Sequence, residues 1–134
     1  MDITIKQRLT EQAFDVQRHA YAPYSSFHVG ASLITEDGYT FSGANVENAA
    51  YPLSQCAEST AIGKMVSEGY RQIHHIVIAS PNDDYCFPCG GCRQKIAEFA
   101  GPQTLITMVT KNGNEKTVSI DELLPYAFKL DTEK

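Results

Sequence analysis

Cys56-Ala57-Glu58 and the later Pro88-Cys89-Gly90-Gly91-Cys92-Arg93-Gln94 are the stretches around which the chain is organised. Each opens a helix-like run. Brought together, the thiolates of Cys56, Cys89 and Cys92 can hold a zinc ion and leave its fourth position free. That position can carry a water. Glu58, two residues after the first ligand, is placed to move the water's protons. Pro88 has the fixed φ that suits a helix start, and such a start aims Cys89 and Cys92 at one point. Helix N-termini also favour thiolates, through unpaired N–H groups and the positive dipole end.

Three other readings of the cysteines compete with this one. Free cysteines can be small core hydrophobes, but a Cys-Gly-Gly-Cys run after a proline is an odd place for them. Cys86, Cys89 and Cys92 form Cys-x-x-Cys-x-x-Cys, and Cys56 could complete a closed, purely structural four-cysteine zinc site. The same triple spacing occurs in iron–sulfur proteins. Against the two closed sites, Cys86 falls before Pro88, in the loop. Glu58 is also surplus to a structural site, whereas hydrolytic chemistry needs a proton carrier beside the metal. Three thiolates leave zinc with a net negative charge, which opposes ionisation of its water. Helix dipoles and a nearby cation would offset this. Arg93 is a candidate cation, with a solvated helix residue as the alternative.

Outward from this centre the pattern is that of an α/β domain. Thr4 can cap a first helix, with Ile5, Leu9, Ala13, Val16 and Ala20 on one face. Phe27 to Ile34 alternates, with Phe27, Val29, Ala31 and Leu33 on one side, and reads as a strand. Asp37-Gly38 turns the chain into a second strand, Tyr39 to Val46, with Gly43 as a bulge or close-approach point. An irregular loop over 47–55 leads to a helix over 56–68, stopped by Gly69. Ile73 to Ala79 is a buried strand. A third helix over 89–100 is closed by Gly101-Pro102. Strands over 104–110 and 116–118 follow, and Ser119 with Glu122 makes a capping box for a last short helix. The order α-β-β-α-β-α-β-β-α suggests a three-layer α/β/α domain.

At 134 residues the chain reads as a single domain over 1–134, large enough for a real core. A net charge of −5 argues against a nucleic-acid partner, which needs clustered Lys and Arg, and favours a small neutral substrate. No stretch approaches the roughly 20 apolar residues of a membrane span. The polar N-terminal run does not look like a secretion signal. Four cysteines in that setting suggest a reducing, cytoplasmic location and metal chemistry.

The chain resembles the cytidine deaminase family, of the small homotetrameric kind, from about Leu9 to Phe128. Four blocks carry the resemblance: Phe27-His28-Val29-Gly30-Ala31, Asn45-Val46-Glu47-Asn48-Ala49, and the two cysteine blocks, which follow the zinc-deaminase signature. The resemblance implies a mixed five-stranded sheet and one Zn²⁺ per subunit on Cys56, Cys89 and Cys92. It further implies attack of zinc-held hydroxide on C4 of free cytidine or deoxycytidine, with Glu58 as proton shuttle, in pyrimidine salvage. Ala57 would read the base edge through its backbone, Phe27 would lie against the base, and Asn45 and Glu47 would bind the 3′ hydroxyl. Tyr51 and Phe128, with Tyr24, match positions at subunit interfaces, where one subunit completes another's pocket. Other readings are a deaminase of a related aminonucleoside such as blasticidin S, or a non-catalytic zinc-binding module.

Two positions depart from the family pattern. Ser59 stands where family members with three cysteine ligands generally carry arginine, so a more electron-rich zinc is expected. Phe87 is bulkier than the small hydroxyl residue expected before Pro88. Cys86 is read as a non-ligand thiol.

Overall fold

A computed structural model describes residues 3–130. Its elements are α1 (Ile3–Gln17), β1 (Gly30–Thr35), β2 (Thr40–Ala44), α2 (Ala57–Ser67), β3 (Ile73–Ala79), α3 (Gly90–Phe99), β4 (Ala100–Val109), β5 (Glu115–Ser119) and α4 (Ile120–Leu123). A single 3₁₀ turn, Tyr51–Leu53, interrupts the loop before α2. The strands form one mixed sheet in the order β2-β1-β3-β4-β5. Only β3 and β4 run parallel, and α3 is the crossover that such a pair requires.

Two hydrophobic clusters lie on opposite faces of this sheet, which gives the three layers. On one face Leu9 and Ala13 of α1 meet Ile34, Val77, Ala79 and Val109. On the other, Ala61 and Met65 of α2, Ile96 of α3 and Leu123 of α4 meet Leu33, Ile76, Ile78 and Ile106. Alternate residues of β1 and β3 therefore serve different cores, and no residue of β1 is left exposed. On the other side of the strand Ser32 is fully buried, with its hydroxyl bonded to Gln12 of α1 at 2.9 Å, and His28 precedes the strand. Gly30 is needed there because an added Cβ would come 1.9 Å from the Ala13 carbonyl oxygen.

Several boundaries move. Helix α1 already includes Ile3, so Thr4 lies within it and does not cap it. Helix α1 ends at Gln17, and its buried side is Leu9 and Ala13, with the expected Ile5 partly covered and Phe14 packing there instead of Val16 and Ala20. Strand β1 begins at Gly30 because residues 25–29 are held by loop hydrogen bonds described below. Gly101-Pro102 ends no helix: α3 stops at Phe99, and β4 starts at once and runs through both residues. Ile73 pairs with Ala100 and His75 with Leu105, so Pro102 sits in a register break. Its missing N–H costs no ladder bond there. The Thr104 hydroxyl closes the break by donating to the Ile73 carbonyl at 2.6 Å. The capping box at α4 is present in both directions, Ser119 to Glu122 and back.

Candidate active site

Cys56 is the N-cap of α2 and Cys89 the N-cap of α3, with Cys92 in the first turn of α3. The two helices contact each other, so both positive ends converge on one point. The three sulfurs lie within 4.8 Å of one another. Cys56 Sγ and Cys89 Sγ are 3.8 Å apart. Zinc–sulfur bonds of about 2.3 Å at tetrahedral angles give sulfur pairs about 3.8 Å apart, so this donor set fits zinc with a fourth position open. Cys86 is not one of the three. The closed four-cysteine reading therefore finds no support in the geometry.

The electrostatics favour a thiolate at Cys56. Hydrogen bonding from Cys92 draws the Cys56 thiol down to about 6, helped by Cys89 and the Lys95 charge and opposed by burial. Cys92 moves up, first because it donates that hydrogen bond and then through burial. Burial alone is the main reason that Cys86 is pushed up to about 12. Glu58 lies in the first turn of α2 and is only 4 % exposed. Burial raises its carboxyl to about 7, and the Cys56 charge adds to the rise. A buried acid that titrates near neutrality beside a cysteine cluster is suited to carrying protons.

Cys56, Cys86, Cys89 and Glu58 lie against one cavity of about 390 Å³, a size that suits a small organic ligand. Cys56, Cys89, Ala57 and Glu58 line it at one side, Phe27, Asn45, Glu47 and Tyr51 at others. Asn45 and Glu47 organise the loop over residues 24–29. Asn45 accepts from the Val29 N–H at 2.9 Å and donates to the Phe27 carbonyl at 2.8 Å. Glu47 accepts from the backbone N–H groups of Tyr24 and Ser25 at 3.0 and 3.1 Å, and from the Ser25 hydroxyl. The Ser25 hydroxyl bond is the main cause that holds the Glu47 carboxyl below its usual range. Ser26 is thereby kept in a left-handed conformation, φ 59°, which a serine does not adopt by preference.

The sequence of this chain matches the family model described as the cytidine and deoxycytidylate deaminase zinc-binding region over residues 3–109. The chain belongs to the cytidine and deoxycytidylate deaminase family. A cytidine deaminase of Halalkalibacterium halodurans is 41 % identical over 92 % of this chain and 93 % of its own length. One of Sporosarcina psychrophila is 38 % identical over 91 % of this chain and 90 % of its own. Among solved structures, the cytidine deaminase of Burkholderia pseudomallei superposes with a TM-score of 0.87 at 40 % identity, over 91 % of this chain and 98 % of that one. The five-stranded sheet and its flanking helices are thus those of the family.

Against this family background, Arg93 and Ser59 have partners that the sequence did not suggest, and Phe128 faces outward. Phe128 does not line the cavity of its own chain. It is 69 % exposed, and its carbonyl accepts from Gln94 of α3 at 3.0 Å. Arg93 does not serve the cysteines. Its guanidinium donates to the carbonyls of Pro88 and Leu123, each at 2.8 Å, and so ties the loop before α3 to α4. Ser59 is not without a cation: Lys95 Nζ donates to its hydroxyl at 2.8 Å, and the hydroxyl donates to Gln55 Oε1 at 2.8 Å. Phe87 lines the cavity and meets Tyr85 edge-on at 6.3 Å. The sequence reading missed Ser25 and Lys95. For Lys95 a signal existed, since it follows Cys92 by the same three residues by which Ser59 follows Cys56.

Proposed function

We propose that this chain, as a single catalytic domain over residues 1–134, hydrolyses free cytidine and deoxycytidine to uridine and deoxyuridine with release of ammonia. The observation that carries the reading is the convergence of Cys56, Cys89 and buried Glu58 on the cavity that Phe27, Asn45 and Glu47 also line, with Cys92 completing the sulfur trio behind them. The names of the relatives support the substrate. Nothing favours an aminonucleoside antibiotic such as blasticidin S, or a non-catalytic zinc module.

Cys56, Cys89 and Cys92 would hold one zinc per subunit. Bound there, zinc lowers the pKa of a coordinated water from roughly 15.7 to about 7. Glu58 accepts the proton of the attacking water as oxygen adds to C4 of the pyrimidine. Glu58 then delivers a proton to N3 and helps protonate the departing amino group, so water and nucleoside balance against product and ammonia. Its carboxyl near 7 suits both directions of transfer. Phe27 packs on the base, and the backbone at Ala57 reads its polar edge. Asn45 has an amide hydrogen beyond the one given to Phe27, and Glu47 has lone pairs left, so both can bind the 3′ hydroxyl while they hold the loop. Lacking any demand on the 2′ position, such a site accepts ribose and deoxyribose.

We further propose a homotetramer with composite active sites, in which Phe128 and the exposed Tyr24 and Tyr51 pack on neighbouring subunits. Their exposures of 69, 59 and 69 % support this, since large aromatic side chains gain most from burial. A role in pyrimidine salvage in the cytoplasm fits the reaction and the four unpaired cysteines. No described helix is long and apolar enough to cross a membrane.

An ultraviolet assay with cytidine tests the reading, run beside Glu58→Gln. The parent should form uridine. The variant should keep its zinc and lose about 10²- to 10⁴-fold or more in turnover. Equal activity in both removes Glu58 from the mechanism. No activity in a zinc-loaded parent removes cytidine as the substrate.

A further inference from the structure

Three thiolates on a divalent metal leave one net negative charge, so the centre repels further negative charge. The reaction proposed above builds such charge at the open position. A cation close to the cysteines would relieve this, and Arg93, the nearest in sequence, is held by two carbonyls. Lys95 is held differently. It stands one helical turn beyond Cys92 on α3, and its ammonium reaches across to Ser59, one turn beyond Cys56 on α2. Ser59 donates its own hydroxyl hydrogen bond to Oε1 of Gln55, which lines the cavity. The ammonium is thus fixed over the seam between the two helices that present the cysteines. We propose that Lys95, oriented by Ser59, is the residue that offsets the negative charge of the cysteine-bound metal and favours anionic ligands at its open position.

The inference rests on the zinc reading of the site, and its test separates the two. The whole protein is loaded with cobalt(II), and azide and imidazole are titrated at low ionic strength by visible absorbance. Lys95→Met should weaken azide, an anion, by about three- to tenfold and leave neutral imidazole unchanged. Lys95→Arg should keep the parental azide affinity. So should the exchange Ser59→Lys with Lys95→Ser, which restores the charge from the other helix. Because Lys95 is exposed, raising the salt should narrow the azide difference. Circular dichroism checks that each variant is folded. Unchanged azide affinity in folded Lys95→Met overturns the proposal, as does an equal loss for imidazole, which would mark a structural role. A parent that takes up neither cobalt nor zinc overturns the metal reading, and this inference with it.

Discussion

At the scale of single residues, the decisive contrast is between Cys86 and Cys89. Both belong to the same Cys-x-x-Cys-x-x-Cys run, and spacing alone offers either as a ligand. Cys89 caps α3 and meets Cys56, whereas Cys86 lies outside the sulfur trio in surroundings that hold its thiol up at about 12. Cys86→Ala should therefore retain the parental zinc content by elemental analysis, and Cys89→Ala should lose it. Zinc loss from Cys86→Ala would return that residue to the ligand set. Glu47 teaches the complementary lesson. Its carboxylate looks like a surface charge in the sequence, yet it is 7 % exposed and bound to three donors of one loop. The binding role proposed for it and its part in shaping the loop use one arrangement.

At the scale of elements, the site depends on how closely β2 lies on α2. An added Cβ at Gly43 would come 2.6 Å from the Ala61 backbone nitrogen and 2.8 Å from Thr60 Cβ. Neither atom belongs to a flexible side chain, so the helix or the strand must move. Gly43→Ala should cost about 1–3 kcal/mol, read as a lower urea midpoint with an unchanged slope. An unchanged midpoint would mean that the two elements separate freely. The same helix carries Cys56 and Glu58, which is why a glycine in the edge strand matters to the centre.

At the scale of the whole molecule, the sheet is buried on both faces, and this traps a histidine. His75 is 1 % exposed. Its Nε2 meets the Thr107 hydroxyl at 2.7 Å, while Nδ1 has no partner among the described residues. Burial chiefly, then the charges of His74 and Lys6, hold its pKa down at about 4, and Glu115 opposes weakly. An unfolded chain binds this proton near 6.5, so between about 6.5 and 4 it carries more protons than the folded one. Stability from this group is complete above that window and is lost as the pH falls through it. Thermal melts of the parent should decline over this range more steeply than those of His75→Gln. Parallel declines would show that other groups govern acid unfolding.

Much of this protein is set locally and is legible in the residue order. The bounds of β3, Ile73–Ala79, follow from a short apolar run, and the α4 capping box from the three-residue interval between Ser119 and Glu122. The cysteine trio with Glu58 follows from helix starts, because a turn of helix fixes which side chains share an end. What only the tertiary structure decided depends on elements distant in the chain. Loop bonds from Asn45 and Glu47 delay β1 to Gly30. A register break takes Pro102 into β4, the α3–α4 tie removes Arg93 from the cysteines, and Lys95 is brought to Ser59. Periodicity says which face of an element is buried. It does not say which side chain of another element meets it, because that follows from how α2 and α3 settle together on the sheet.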